Sequence, residues 1–237
     1  IRASIPDWLE QRGTQELADA WPALREALNQ PADVFLRVNT LKTDRRSLKE
    51  RMGQEGFETE AVDHVPSALR MKQRANTFGS KAFKEGLFEV QDAASQLIAP
   101  FLQPEPGMRV IDACAGGGGK SLHIAAIMRN KGRILALDIH AWKLAELRKR
   151  ASRAGVDIIE AREIDGSKTI KRLAKSADRV LLDVPCSGLG VLRRNPDAKW
   201  KLSDEEIARL TFLQAEILES YSRMVVPGGK LVYATCS

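Results

Sequence analysis

Cysteine is scarce in this chain: of 237 residues only Cys114, Cys186 and Cys236 are thiols, far apart and without a CxxC pair. That excludes a disulfide framework, and with three histidines lacking any regular spacing to them it excludes the ligand pattern of a zinc site. A reducing cytoplasm is therefore the expected compartment. Long hydrophobic runs are also absent, so no segment reads as a bilayer span, and no basic, apolar and small-residue start reads as a signal peptide. A soluble protein is expected. Internal repeats and low-complexity tracts are missing as well. Ile1 is not an initiator methionine and the chain stops in the strand-like "GGKLVYATCS", so the sequence reads as a fragment of something longer.

What is present is apolar core material, 43% of residues, and an excess of positive charge, net +6. Such a balance suits a polyanion such as RNA and equally suits simple solubility. Residues 5 to 28 carry Leu9, Leu17, Trp21, Leu24 and Leu28 at helical spacing, so 1–32 is expected to be a helical segment. "VFLRV" at 34–38 and "ETEAV" at 58–62 flank a basic helix over 44–55 with Leu48 and Met52 inward, which predicts a small α+β unit of β-α-β order over 33–85. From 86 onward, apolar runs at 108–112, 134–138, 157–161, 179–183 and 230–234 alternate with helices. One helix face comprises Ala93, Ala94, Leu97, Ile98, Phe101 and Leu102. Ser203 with Glu206 forms a capping-box pattern ahead of another, which buries Ile207, Leu210, Ile217, Leu218 and Tyr221. The alternation predicts an α/β, Rossmann-like domain over 86–237, its sheet mainly parallel with helices on both faces and its C-terminal part missing.

The first turn of that domain is "DACAGGGGKS", residues 112–121. Glycine lets a ligand approach the backbone closely at such a turn. The phosphate-loop pattern fails because Cys114 stands where it needs glycine, and the dinucleotide pattern GxGxxG, started at Gly116, fails at Ser121. Asp112 ends the first strand and Asp138 the second, where a carboxylate accepts hydrogen bonds from ribose hydroxyls. Asp165 follows the third and Asp183 ends the fourth. With no phosphate motif intact, a nucleoside-type cofactor without phosphates fits better than NAD or ATP, and S-adenosylmethionine meets that description. Each aspartate alone has a plainer reading as a turn or cap residue; the four together lie where parallel sheets bind ligands.

In "LLDVPCSGLGVLRRNPDAKW", residues 181–200, a carboxylate, a proline and a thiol end an apolar run and basic residues follow. A methyl donor beside such a cysteine suggests pyrimidine C5 methylation, since C5 of cytosine is a poor nucleophile until a thiolate adds to C6. Cys186 and Cys236 both end central strands, and spacing does not say which faces the base. Arg193, Arg194, Lys199 and Lys201 suit phosphate capture as well as a solvated face.

Together with "FLRVNTLK" (35–42), "GLFEVQDAASQLI" (86–98), "LALDIH" (135–140) and "VPGGKLVYATCS" (226–237), these segments resemble the Sun/Nop family of RNA 5-methylcytosine methyltransferases, close to the bacterial 16S ribosomal RNA enzymes of the B type. The resemblance runs from about residue 34 to the end. It implies a class I S-adenosylmethionine-dependent methyltransferase domain preceded by a small, RRM-like RNA-binding domain. With aromatics at 5% of the chain, that small domain is expected to grip backbone or shape, not stacked bases.

By the same resemblance Cys114, Ala115, Gly116, Gly117, Gly118, Gly119 and Lys120 wrap the methionine part of the cofactor, Asp138 holds the ribose, Asp165 the adenine, and Lys143 joins the cofactor set. Asp183 lies near the methyl group and holds the cytosine N3 edge. Cys236 is the nucleophile and Cys186 assists elimination and release. Arg193, Arg194 and Lys199 are the candidate RNA contacts. The family loop CAAPGGK has Gly116 and Gly117 in place of Ala and Pro here, a change that removes rigidity. Cys114 also has a plainer reading as a small hydrophobe, and Lys120 as a solvated helix-start residue. The implied activity is methyl transfer to C5 of a cytidine in ribosomal RNA, with transfer RNA as the alternative substrate. A catalytically silent RNA-binding assembly factor and a nicotinamide-dependent oxidoreductase are the rival classes. No metal or membrane partner is expected, and a monomer is favoured.

Overall fold

In a computed structural model, which describes residues 4–236, the chain forms two compact units. The larger comprises Asp33–Asp183 and Leu218–Ala234. It begins with β1 (Phe35–Val38), α3 (Arg45–Gln54), β2 (Thr59–Ala61), β3 (Ala68–Met71), α4 (Lys81–Lys84) and β4 (Phe88–Val90), numbered after the two helices α1 (Asp7–Leu17) and α2 (Trp21–Leu28) of the smaller unit. The four strands make an antiparallel sheet of order β2-β3-β1-β4. This differs from the simple β-α-β expected, because β3 and β4 are four- and three-residue strands whose pattern is too short to read. The sheet also takes β4 from beyond the expected boundary at 85, since Leu36 pairs with Val90 and Val38 with Phe88. Asp44 caps α3 by accepting from the backbone N–H groups of Arg46 and Ser47 at 2.8 and 2.9 Å. Leu48 and Met52 turn inward as expected, onto Leu36, Val38, Leu69 and Phe88.

The same unit continues with α5 (Ala93–Leu102), β5 (Arg109–Asp112), α6 (Gly119–Ile127), β6 (Arg133–Asp138), α7 (Ala141–Ala154), β7 (Ile159–Glu163), α8 (Ser167–Arg172) and β8 (Ala177–Asp183), and ends with β9 (Val225–Ala234). Every pairing in this five-stranded sheet is parallel, in the order β7-β6-β5-β8-β9. The central strands are continuous apolar runs because both faces are covered: Val110, Ile111, Ile134, Ala136, Val180 and Leu181 are fully buried. The jump of order from β6-β5 to β8 makes a topological switch point outside the carboxyl ends of β5 and β8, the place at which open parallel sheets in general bind ligands. On α5 the buried positions are Gln96, Ala99 and Leu102, while Leu97 and Phe101 face solvent, contrary to the expected face. Gln96 is satisfied inside by Ser67 Oγ, which donates to it, and by the Gln91 carbonyl.

Of the smaller unit, the described residues 4–32, 184–217 and 235–236 contain α1, α2, α9 (Ala198–Lys201) and most of α10 (Asp204–Tyr221). Ile5, Leu9 and Trp21 from the N-terminal helices pack with Leu192 of the later segment. Ser203 Oγ accepts from the Glu206 N–H at 3.3 Å and so caps α10 as expected. Of the face expected to be buried along this helix, Leu210 is buried and Leu218 is exposed. Among the described residues no helix is long and apolar enough to cross a membrane.

Phe88 fills the small sheet's core with no exposed surface. Phe88→Ala is expected to lower stability by about 3–5 kcal/mol, since the cavity cannot collapse between α3 and the sheet. A denaturant titration that gives an unchanged midpoint would contradict that packing.

Candidate functional site

Three aspartates end strands of the parallel sheet and a fourth, Asp165, follows β7, and the structure separates their surroundings. Asp112, at the end of β5, is buried, and Ser121 Oγ donates to its Oδ2 at 2.6 Å. Burial pushes its carboxyl up to about 6, with the Asp183 charge adding to the rise and the Ser121 hydrogen bond opposing it. Its Oδ1 has no hydrogen-bond partner among the described residues. Asp138, at the end of β6, accepts from the Gly116 N–H through Oδ2 and from the His140 N–H through Oδ1, both at 2.9 Å. One carboxylate thus ties the glycine loop to the start of the next crossover, with each oxygen taking one backbone N–H.

The loop itself turns tightly. Gly116 and Gly118 lie at φ +53° and +81°, the left-handed region, and the Gly118 N–H closes a turn onto the Ala115 carbonyl at 2.9 Å. A Cβ on Gly118 would sit 2.5 Å from Leu147 Cγ, so the position is closed to a side chain both by conformation and by space. Lys120, in the first turn of α6, reaches the Asp183 Oδ2 at the end of β8 at 2.5 Å. Its ammonium is thus engaged within the fold and is not a solvated helix start. Cys114 is half-buried, and burial, followed by the charges of Asp112, Asp138 and Asp183, pushes its thiol up to about 12. It stays a neutral hydrophobe at the loop's base. Gly117 and Gly119 complete the loop, and Lys143 on α7 lies 5.6 Å from the ring centre of the exposed Trp142.

Asp165, after β7, lines a cavity of about 640 Å³ together with Ile139, Ile164, Ile170 and Tyr221. Thr169 Oγ1 donates to its Oδ1, which holds the carboxyl below its ordinary value. The cavity wall is mostly apolar, with Asp165 the one carboxylate on it beside the cations Lys171 and Arg223. Ile139, Tyr221 and the unpartnered Asp112 oxygen were not predicted as site features; only the run of acidic strand ends pointed toward them.

In the smaller unit the two remaining thiols meet. Cys186 Sγ and Cys236 Sγ lie 2.7 Å apart, and the Cys236 N–H also donates to Cys186 Sγ at 3.3 Å. The Gly190 N–H holds the Cys236 carbonyl at 2.9 Å. The hydrogen bond from Cys236 is the largest influence on Cys186 and draws its thiol down to about 4, with Thr235 and the amides of Cys236 and Gly188 adding to it against a burial penalty. A thiolate held by sulfur, hydroxyl and amide donors needs no cationic partner.

The expected RNA contacts divide. Arg193 is exposed but its guanidinium donates to the Gln30 and Pro31 carbonyls, at 3.4 and 2.5 Å, and Arg194 is exposed. Lys199 is not on the surface: it is 4% exposed, and its Nζ donates to Asn29 Oδ1 at 2.9 Å. The expectation for Lys199 is corrected. The four-residue helix α9 turns it inward, and there its charge is spent on an amide oxygen within the fold.

At pH 6, Cys186 is expected to alkylate with iodoacetamide at nearly its pH 8 rate, because its thiolate is lost only as pH falls toward about 4, while Cys114 stays unmodified until the chain is unfolded. Mass mapping of the alkylated peptides reads this directly. A Cys186 rate falling tenfold per pH unit below 8 would contradict the depressed thiol.

The comparisons agree with this geometry. A family model described as 16S rRNA methyltransferase RsmB/F matches residues 99–237, and a second, for an RsmF/B-like ferredoxin-like domain, matches residues 5–77. The probable ribosomal RNA small subunit methyltransferase B of Bacillus subtilis (strain 168) is 38% identical over 242 residues, covering 99% of this chain and 53% of that protein. The crystal structure of PH0851 superposes with a TM-score of 0.93 at 36% identity, over 98% of this chain and 53% of that one. That of a methyltransferase homolog protein from Pyrococcus horikoshii does so at 0.86 and 30%, over 100% and 75%. The chain spans about half the length of the curated relatives it matches. Two thiols from separated segments, acidic strand ends and a glycine loop on a parallel sheet thus accompany a match over more than half of the sequence, and the chain belongs to the 16S rRNA methyltransferase RsmB/F family.

Proposed function

We propose that this chain transfers a methyl group from S-adenosylmethionine to C5 of a cytidine in small-subunit ribosomal RNA, through a covalent bond between Cys236 and C6. The single observation that carries the reading is the thiol pair, Cys186 and Cys236, with sulfurs 2.7 Å apart. The ribosomal substrate rests on the names of the relatives.

The residues fit the donor. The glycine loop lacks a phosphate-binding pattern, Asp138 keeps lone pairs for a ribose, and the cavity at Asp165 suits an adenine. When bound, S-adenosylmethionine supplies an electrophilic methyl group on a sulfonium centre. Lys120, bonded to Asp183, keeps that carboxylate fixed at the end of β8, where it holds the N3 edge of the extruded cytosine.

As the Cys236 sulfur adds to C6, its proton passes to Cys186 along the sulfur–sulfur hydrogen bond; formation of the bond to C6 drives this transfer, since Cys186 is the more acidic thiol at rest. The electron pair released onto C5 takes the methyl group. Loss of the C5 proton to solvent restores the C5–C6 double bond and expels Cys236 as a thiolate, to which Cys186 returns the proton. The pair thus serves as nucleophile and proton store in turn. Chain continuity supports the pairing: Asp183 lies opposite Ala234 in the β8–β9 ladder, Cys186 follows Asp183 by three residues, and Cys236 follows Ala234 by two.

Cys186→Ala is expected to accumulate a covalent adduct with small-subunit ribosomal RNA in the presence of S-adenosylmethionine, because addition proceeds while elimination slows. Cys236→Ala should form none. Denaturing gels read the adduct, and an adduct in Cys236→Ala would reverse the assignment of the two sulfurs.

A further inference from the structure

The glycine loop is held from outside by charged groups to which the sequence analysis assigned no role. Arg37 occupies the middle of β1 with 3% of its surface exposed, an unusual place for a guanidinium. Its Nη1 donates to Gln91 Oε1 at 2.5 Å and to the carbonyl oxygen of Gly119. Directly across the ladder from Arg37 stands Glu89 of β4, itself buried. Glu89 Oε2 accepts from Arg150 Nε and Nη2 at 3.1 and 2.9 Å, and its Oε1 accepts from Arg153 at 2.5 Å. The Arg150 Nη1, left over from that pair, donates to the Gly117 carbonyl at 2.7 Å.

Three guanidiniums therefore gather around one carboxylate in a buried place. The charge that Glu89 does not neutralise is satisfied on two backbone oxygens of the loop, because a buried cation needs acceptors on all sides. Burial lowers Arg37 to about 9, which is the mark of a cation held with less than full compensation.

The direction of these bonds matters for ligand binding. A peptide plane carries its C=O and N–H on opposite sides, so a carbonyl pulled toward an arginine sends the following N–H the other way. Arg150 on the Gly117 oxygen thereby aims the Gly118 N–H at the Ala115 carbonyl, which closes the turn at 2.9 Å. Arg37 on the Gly119 oxygen turns the Lys120 N–H away from itself at the opening of α6. In a loop where Gly116 and Gly117 leave the backbone without the stiffness of alanine and proline, external restraint has to supply the rigidity.

We propose that Arg37, Glu89 and Arg150 are positioning residues for the methyl donor, fixing the Gly117–Gly119 backbone from outside, so that the small antiparallel sheet is a working part of the donor site. The proposal rests on the reading of the glycine loop as donor site and deepens it. Arg37 and Arg150 act on the loop carbonyls directly, and Glu89 acts by holding Arg150. Donor affinity then depends on groups carried by β1 and β4, beyond the parallel sheet that holds the loop.

The test is calorimetric titration of the whole chain with S-adenosylhomocysteine, beside its thermal midpoint and the alkylation rate of Cys186. Arg150→Met and Arg37→Met are expected to raise the dissociation constant about 10-fold or more, in line with the loss of charge-assisted bonds that preorganise a site. Cys186 alkylation should stay as in the wild type. Arg37→Lys, which keeps the charge and one donor, should recover part of the affinity that Arg37→Met loses. A residue that only stabilises the fold would lower the midpoint and leave the dissociation constant of the folded protein unchanged. Affinities within twofold of wild type in both methionine variants would overturn the proposal. Should Arg37→Met fail to fold, Arg150→Met, at the rim of the cluster, decides alone. Failure of the wild-type chain to bind S-adenosylhomocysteine would overturn the donor site itself, an outcome distinct from unchanged variants on a binding wild type.

Discussion

The carboxylate of Asp138 is the constraint on which the carboxyl-end face of the parallel sheet depends. It ends β6, yet its two oxygens are engaged by amides from different places, Gly116 in the loop after β5 and His140 at the start of α7. An isolated buried carboxylate is costly; here two N–H groups repay part of that cost and fix two turns with one charge. The neighbouring aspartates are placed by the same logic in different degrees. Asp112 is satisfied on one oxygen only, Asp165 by a hydroxyl, and Asp183 by an ammonium. The four carboxylates thus have different partners and different readiness to accept a ligand.

Much of the parallel sheet was legible because central strands buried on both faces leave an unbroken apolar trace. β5, β6 and β8 fall within two residues of the expected runs. β7 is shifted to Ile159–Glu163, since an edge strand carrying Glu160 and Arg162 shows no such trace. The antiparallel sheet was read in outline only. β3 and β4 are too short to show a period, and the charge inside β1 gave no sign of being covered on both faces.

At the site, the acidic strand ends and the glycine loop could be read because their positions follow from the fold. The nearness of Cys186 and Cys236 was legible too, because both follow the ends of central strands, whereas the direct contact of their sulfurs across 50 residues of sequence is closed only by the tertiary structure. Lys199 shows the converse: its neighbours Arg193 and Arg194 are exposed, and only the turn of α9 decides that this cation faces Asn29. Long basic side chains on short elements carry no periodic signal from which direction can be inferred.

The register of β9 against β8 has a consequence for the sulfur chemistry. Both cysteine-bearing segments depart from the carboxyl ends of adjacent strands, about 5 Å apart across the ladder, and their tethers are three and two residues long. A slip of β9 by a single residue would turn its side chains over and change the tether to Cys236 by one residue, while that to Cys186 stayed at three. The ladder carries its irregularity at the far end, between Ala177 and Arg179, and runs in step from there to Asp183. The ladder thereby fixes the two points, Asp183 and Ala234, from which the cysteine-bearing segments leave the sheet.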